Sequence, residues 1–374
     1  MELPATADVV VVGAGIAGAS AGWAIAEGGA TVVVLEAEAT AGHHATGRSA
    51  ALLTETYGSA PVLGLVRASR PFIESPPDGF ADHSLTAPRG VLWIARPESA
   101  DRLRADAGAW AAPHQVLDLA AARAHVPPLR DEACALAVHE PGAVDIDVDA
   151  LHQGYLRSVR RGGGSVHLAT PVTGIARAGE GWRVSTPAGD VACGTVVDAA
   201  GAWGDSVAAM AGVDPLGLRP LRRTAFLFDQ PDEGARRWPL VVDVDDRFYV
   251  KPDAGKLLGS LADETPSEPC DAKPEELDVA LAIDRIEAAL DLRVKGVARP
   301  WAGLRTFSPD RVPTVGADPD HPGFVWVVGQ GGYGIKTSPA MARAAAAATL
   351  DDPWPDELTA AGIDAATLSP ARFR

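Results

Sequence analysis

The chain is nearly without lysine: it has five, the first at Lys251, against 28 arginines. Arginine is therefore the default cation, and Lys336, in a glycine-rich loop, stands out. Cysteine is scarce as well. Cys134, Cys193 and Cys270 are odd in number and lack CxxC spacing, which excludes a disulfide framework and suits a cytoplasmic protein. No apolar run is long enough to span a bilayer, so membrane insertion is not expected. Positive charge is in deficit: the net charge is −16 and the pI about 4.9. That balance repels nucleic acid and anionic lipid and leaves a small molecule as the expected ligand. Metal ligation is not expected either. His43 and His44 are adjacent rather than one helical turn apart, and the Asp145, Asp147, Asp149 series has Ala150 and Leu156 where a calcium loop needs glycine and glutamate. These aspartates read instead as the end of a strand and the cap of a helix over 150–160.

What is present is concentrated at the start. The β-branched run 9–12 reads as a buried parallel strand, and it leads into Gly13, Gly15 and Gly18 and an alanine-rich helix. Gly13 permits the tight turn, Gly15 lets the backbone approach a pyrophosphate, and Gly18 lets helix and strand lie close. A second apolar run, 31–35, ends at Glu36, 21 residues after Gly15. A carboxylate there meets a ribose 2′-hydroxyl and disfavours a 2′-phosphate, so the segment reads as a dinucleotide site and NADP is the poorer fit. Residues 9–35 are apolar enough to suggest a secretory signal, but Glu2 and Asp8 precede them where basic residues belong.

A chain of 374 residues accommodates two domains, each with a sizeable core. The βαβ texture of the first 60 residues gives way to strands and hairpins over 86–135 and 216–300. It returns at 195–203 and at 325–335, where a helix over 339–350 follows. The two domains are thus interleaved. Three glycine-bearing turns after strands, at 13–18, 201–204 and 329–334, are expected to converge on one ligand at the strands' C-terminal edge.

The fingerprint, the string Thr46-Gly-Arg-Ser-Ala-Ala51, Asp198-Ala-Ala-Gly-Ala-Trp203 and the closing Gly-Gly-Tyr-Gly-Ile together resemble the glycine oxidase, sarcosine oxidase and D-amino acid oxidase family over nearly the whole length. The resemblance implies an α/β fold: a Rossmann-type FAD-binding domain (1–85, 140–215, 301–374) interleaved with a substrate-binding domain on a mixed or antiparallel β-sheet (86–139, 216–300). It implies FAD held by Gly13, Gly15, Gly18, Glu36, Arg48, Ser49, Ala50, Val172, Ala200, Gly201, Trp203, Gly331, Gly332, Tyr333, Gly334 and Ile335. With no cysteine in the closing loop, the cofactor is expected to be non-covalent. Arg222 and Arg305 would clamp a substrate carboxylate, with Tyr57 and Tyr249 beside it. Hydride transfer from the substrate Cα to flavin N5 would then give an imine.

Within that family, Asp145 to Tyr155, Phe248 to Gly255 and Trp301 to Arg305 are most similar to D-arginine dehydrogenases. Leu52, Val91 and Lys336 depart from that pattern, removing the partner of a basic side chain and adding a cation. The expected substrate is therefore an apolar D-amino acid or an N-substituted glycine, including an N-carboxymethyl compound with an apolar tail. Leu52 and Val91 would line its pocket and Lys336 would meet a carboxylate. Oxygen or a quinone would accept the electrons, and the protein would be a monomer or a small homo-oligomer. A nicotinamide-dependent dehydrogenase, a flavin hydroxylase and a non-catalytic flavin-binding subunit remain alternatives.

Overall fold

The run Thr6–Val12 is the middle strand of a parallel sheet in the computed structural model, which describes residues 2–374. Val32–Leu35 and then Ser165–His167 extend the sheet on one side, and Gly189–Asp198 and then Phe324–Val328 on the other, all parallel. Val9 to Val12, Val32 to Leu35 and Phe324 to Val328 are buried throughout, as strands covered on both faces must be. Alternate residues serve two cores. Val9, Val11 and Val34 pack under the helices Ile16–Glu27, Val148–Arg161 and Gly334–Leu350. Val10, Val12 and Leu35 pack under Trp182 and Val184 of the strand Gly181–Thr186 and under the short helix Gly204–Met210.

The second sheet runs in the order Thr265–Pro266, Arg219–Phe228, Lys256–Ser260, Tyr249–Asp253, Leu240–Asp243, Val91–Ala95, Leu136–Glu140 and Gln115–Leu117, with Val297–Phe307 also paired to Arg219–Phe228. Only the pairing of Leu240–Asp243 with Val91–Ala95 is parallel, so the sheet is mixed, as the sequence led us to expect. Helix Glu276–Ala289 covers one face, packing Ala282 and Ile286 on Phe226 and Phe228.

Three details differ from the sequence reading. The strand Val297–Phe307 lies wholly in the second sheet, so the domain crossing placed at 301 falls inside a strand and belongs beyond Phe307. The stretches read as strands alone also contain helices Ala100–Ala109, Leu119–His125 and Glu276–Ala289. The first of these buries only Leu103 and Ala107, too narrow an apolar stripe to give a clear 3.6-residue period. The last major helix begins at Gly334 rather than at 339, with Pro339 inside it. The carbonyl that Pro339 leaves without its helical donor, that of Ile335, accepts from the Ser338 hydroxyl at 2.9 Å instead. Asp147 caps helix Val148–Arg161, its side chain accepting from the Ala150 amide at 2.9 Å.

Candidate active site

The three glycine turns do meet. They line one cavity of about 450 Å³ that runs from the C-terminal edge of the parallel sheet to the face of the second sheet. At the first turn Gly13 has φ +103°, and a Cβ at Gly18 would lie 1.9 Å from the Gly13 carbonyl oxygen, so helix Ile16–Glu27 starts as close to the strand as a backbone allows. The Ile16 amide donates to the Thr46 hydroxyl at 2.9 Å, which ties the string around Thr46 to the helix start. Glu36 is held by the amides of Ala14 (2.8 Å) and Glu38 (3.0 Å), fixing its carboxylate at the cavity wall.

Two helix N-termini, those of Ile16–Glu27 and Gly334–Leu350, open on this cavity and offer amides to an anion. Gln330 Nε2 and His44 Nδ1, both in its wall, are buried without a partner. The adenosine-ribose acid, the anion-binding amides and these unpaired polar atoms fit an extended FAD. Gly13, Gly15, Glu36, Arg48, Ser49, Ala50, Val172, Ala200, Gly201, Trp203, Gly331, Gly332, Gly334 and Ile335 all line the cavity. Gly18 and Tyr333 stand behind the wall. Arg48 reaches the wall but turns its guanidinium away, donating to the carbonyls of Ala272 (3.0 Å) and Ala302 (2.9 Å) and pairing with Asp271. Its charge is committed to joining the two domains. Glu38, His43 and His44 bring their ligand atoms within 4.8 Å of one another, with His44 Nε2 already 2.9 Å from Glu38 Oε1.

The other end of the cavity belongs to the second sheet, and strand register decides which side chains enter it. Leu221 pairs with Arg305 and Arg223 with Gly303, so Arg223 and Arg305 are diagonal neighbours on one face. Both line the cavity, together with Tyr249. Burial disfavours the charge of Arg305, but Tyr57, Tyr249 and Tyr333 around its guanidinium outweigh this and hold its pKa above the ordinary value. Arg223 is pushed down, first by burial and then by Arg305. Its Nε donates to the Asp263 carbonyl at 2.7 Å, and its nearest carboxylate, Glu264, lies 3.5 Å away and is shared with Arg311 at 2.8 Å. Gly332 lies flat on Arg305, where a Cβ would come 2.8 Å from Cζ. Two crowded, desolvated cations of this kind call for an anionic ligand.

Arg222 is not one of them. It points to the opposite face, where it pairs with Glu275 and, at 3.0 Å, with Asp278, so the arginine that shares the cavity with Arg305 is Arg223 rather than the expected Arg222. Strand parity carried the signal: Arg222 shares its face with Phe226 and Phe228, which pack under helix Glu276–Ala289.

Lys336 is also displaced from its expected position on substrate. It is buried, and Nζ donates to the carbonyls of Thr54 (3.0 Å) and Tyr57 (2.9 Å) with the rings of Tyr57 and Tyr333 5.5 and 5.6 Å away. Leu52 and Val91 lie one layer back as well. They share a cluster with Trp93 and Val242 that packs against Tyr57 and Tyr249 rather than lining the cavity.

Comparison with known proteins agrees with this architecture. Over 347 residues the chain is 25% identical to glycine oxidase of Geobacillus kaustophilus, covering 89% of this chain and 90% of that protein. The crystal structure of that oxidase superposes with a TM-score of 0.83 at 23% identity, covering 94% and 96% of the two chains. Hydrogen cyanide synthase subunit HcnC of Pseudomonas aeruginosa is 28% identical over 197 residues, which span 50% of this chain and about half, 45%, of HcnC. Iminodiacetate oxidase of Chelativorans sp. BNC1 shares the fold with a TM-score of 0.77 at 19% identity, covering 92% and 96%. The family described as FAD dependent oxidoreductase matches residues 8–348, a span that takes in the glycine fingerprint, both arginine-bearing strands and the closing loop. The chain belongs to that FAD-dependent oxidoreductase family.

Proposed function

We propose that the protein oxidises the C–N bond of a small amino acid, an N-substituted glycine or an apolar D-amino acid, and that the N-substituent includes N-carboxymethyl compounds with an apolar tail. The observation that carries this reading is the diagonal pair of Arg223 and Arg305 at the flavin end of the cavity. A planar guanidinium binds a carboxylate through two parallel hydrogen bonds, and two of them fix its orientation as well as its charge. When bound, FAD supplies the hydride acceptor.

The chain's own residues then bind and orient. The arginines hold the carboxylate, and Tyr57 and Tyr249 border it. No histidine lies at this end of the cavity, since His43 and His44 sit with Glu38 at the nucleotide end. The site therefore selects the amine in its free-base form, and positioning supplies most of the rate. The similarity to glycine oxidase over nine-tenths of both chains supports a substrate of the glycine type.

The test is anaerobic mixing of the holoenzyme with D-amino acids, sarcosine, glycine and N-alkyl or N-carboxymethyl glycines. Bleaching of the flavin by a member of the panel supports the reading, and the rate of colour recovery on admitting oxygen or a quinone identifies the acceptor.

A further inference from the structure

The segment between strand Leu52–Leu53 and helix Ala60–Glu74 has no regular hydrogen bonding of its own, yet Thr54 and Thr56 in it are 5% and 4% exposed. Its polar groups are gripped from two sides. On one side Glu140, 2% exposed at the end of strand Leu136–Glu140, accepts from the Glu55 amide (2.9 Å), from the Thr56 hydroxyl (2.6 Å) and from the Thr54 hydroxyl. Trp93 Nε1 completes that side with a 2.9 Å bond to the Thr56 hydroxyl. On the other side Lys336, 4% exposed, donates to the carbonyls of Thr54 and Tyr57. Neither Glu140 nor Lys336 forms a salt bridge among the described residues. Each buried charge is spent on the same four-residue segment, and that segment ends in Tyr57, whose ring is 5.5 Å from Tyr333 and which faces Arg305.

Removing a buried ion is costly to the groups it leaves unpaired, so an arrangement with one anion and one cation on opposite edges of an irregular segment fixes that segment's conformation strongly. We propose that Glu140 and Lys336 are a positioning pair that clamps residues 54–57 from behind the substrate wall and thereby holds Tyr57 against Arg305. The effect on substrate rests on the amino-acid reading above; the clamp itself does not.

The charged and titratable groups facing Lys336 are Glu140, Glu55, Arg305 and Arg70, with the rings of Tyr57 and Tyr333. Burial pulls the lysine down to about 7, partly offset by Glu140 and reinforced by Arg305. The clamp's cation is therefore mostly charged at pH 6 and loses its charge as pH rises through about 7, weakening its grip on the carbonyls and the positive potential behind Arg305.

The test compares wild type, Lys336→Met, Lys336→Arg and Glu140→Gln as FAD-loaded enzymes. Hydrogen–deuterium exchange over residues 50–62 reads the clamp directly. Binding of benzoate, an apolar carboxylate that does not titrate between about pH 6 and 9, is followed through the flavin spectrum and reads its consequence. Exchange over 50–62 is expected to quicken in Lys336→Met and Glu140→Gln with no change in FAD content. Wild-type benzoate affinity is expected to fall as pH rises through about 7. Lys336→Met should weaken it about tenfold at pH 6 and flatten the profile, whereas Lys336→Arg should flatten the profile while keeping the affinity. The same Lys336→Met change should raise KM for the panel substrate far more than it lowers kcat.

Unchanged exchange in flavin-loaded Lys336→Met overturns the clamp. So does an inflection near neutrality that persists in both lysine variants. If Lys336→Met does not fold, Lys336→Arg and Glu140→Gln carry the same two readings. If benzoate and every amino acid leave the wild-type spectrum unmoved, the amino-acid reading fails, and the exchange result alone decides the clamp.

Discussion

Arg223 and Arg305 stand diagonally across two antiparallel strands, Arg223 opposite Gly303 and Arg305 opposite Leu221, with both guanidinium groups turned into one cavity. Arg222, one residue away, lies on the other face of the same strand in an ion pair with Glu275 and Asp278. Adjacent residues of one type therefore have separate duties.

Substitution should separate them. Arg223→Ala or Arg305→Ala is expected to lower kcat/KM for the panel substrate by about 100-fold or more, the effect of removing a buried partner of a substrate charge. Arg222→Gln should leave kcat/KM within about threefold but cost about 3 kcal/mol of stability, since it leaves the buried carboxylate of Asp278 without its cation. Steady-state kinetics and denaturant unfolding of the three variants check this.

Glu36 sits on the amides of Ala14 and Glu38. Glu36→Ala should lower FAD retention by about tenfold or more, at a cost of about 1.5–3 kcal/mol for a charge-assisted contact. The ratio of FAD to protein after gel filtration measures it, and circular dichroism should show the fold unchanged.

The cofactor is expected to come free of the protein on acid precipitation, leaving a colourless pellet. Cys270, His43 and His44 line the cavity and are the nucleophilic side chains on which a covalent link would form. A yellow pellet would contradict the expectation, and the variant among Cys270→Ser, His43→Ala and His44→Ala whose pellet is colourless would identify the link.

Much of this was legible in the sequence, and the limits have physical causes. The strand of valines, Gly13, Gly15, Gly18 and Glu36 carry one job each at fixed spacing, so they read out locally, and the structure gathers Gly13, Gly15 and Glu36 at one cavity with Gly18 behind its wall. The alternation of the chain between the two sheets was visible as a change of texture along it. Which of Arg222 and Arg223 faces the cavity depended on a period-two parity set by Phe226 and Phe228 against a helix some 50 residues away, a contact that no local string shows. The place of Lys336 depended on carbonyls of Thr54 and Tyr57, 282 and 279 residues away along the chain. Motif spacing identifies loops that touch a cofactor; it does not say which side of a wall a long side chain takes.

His139 offers a test of the second sheet's stability. Burial, with a contribution from His125, whose ring centroid is 4.2 Å away, lowers its pKa to about 4. Below pH 6.5 the unfolded chain binds a proton that the folded one refuses, so stability present above 6.5 is lost as pH falls toward 4. His139 is partly buried, so the loss should be about 1–3 kcal/mol. Thermal melts of wild type and His139→Gln between these pH values should differ in slope, the variant losing less.

The central claim is that Arg223 and Arg305 present an amino acid carboxylate to the bound flavin, and anaerobic bleaching tests it most directly. The account predicts that an N-substituted glycine or apolar D-amino acid bleaches the wild-type flavin, that Arg222→Gln bleaches at a similar rate, and that Arg223→Ala does so at least about 100-fold more slowly at the same substrate concentration. Equal bleaching rates in wild type and Arg223→Ala, with Arg222→Gln impaired, would contradict it.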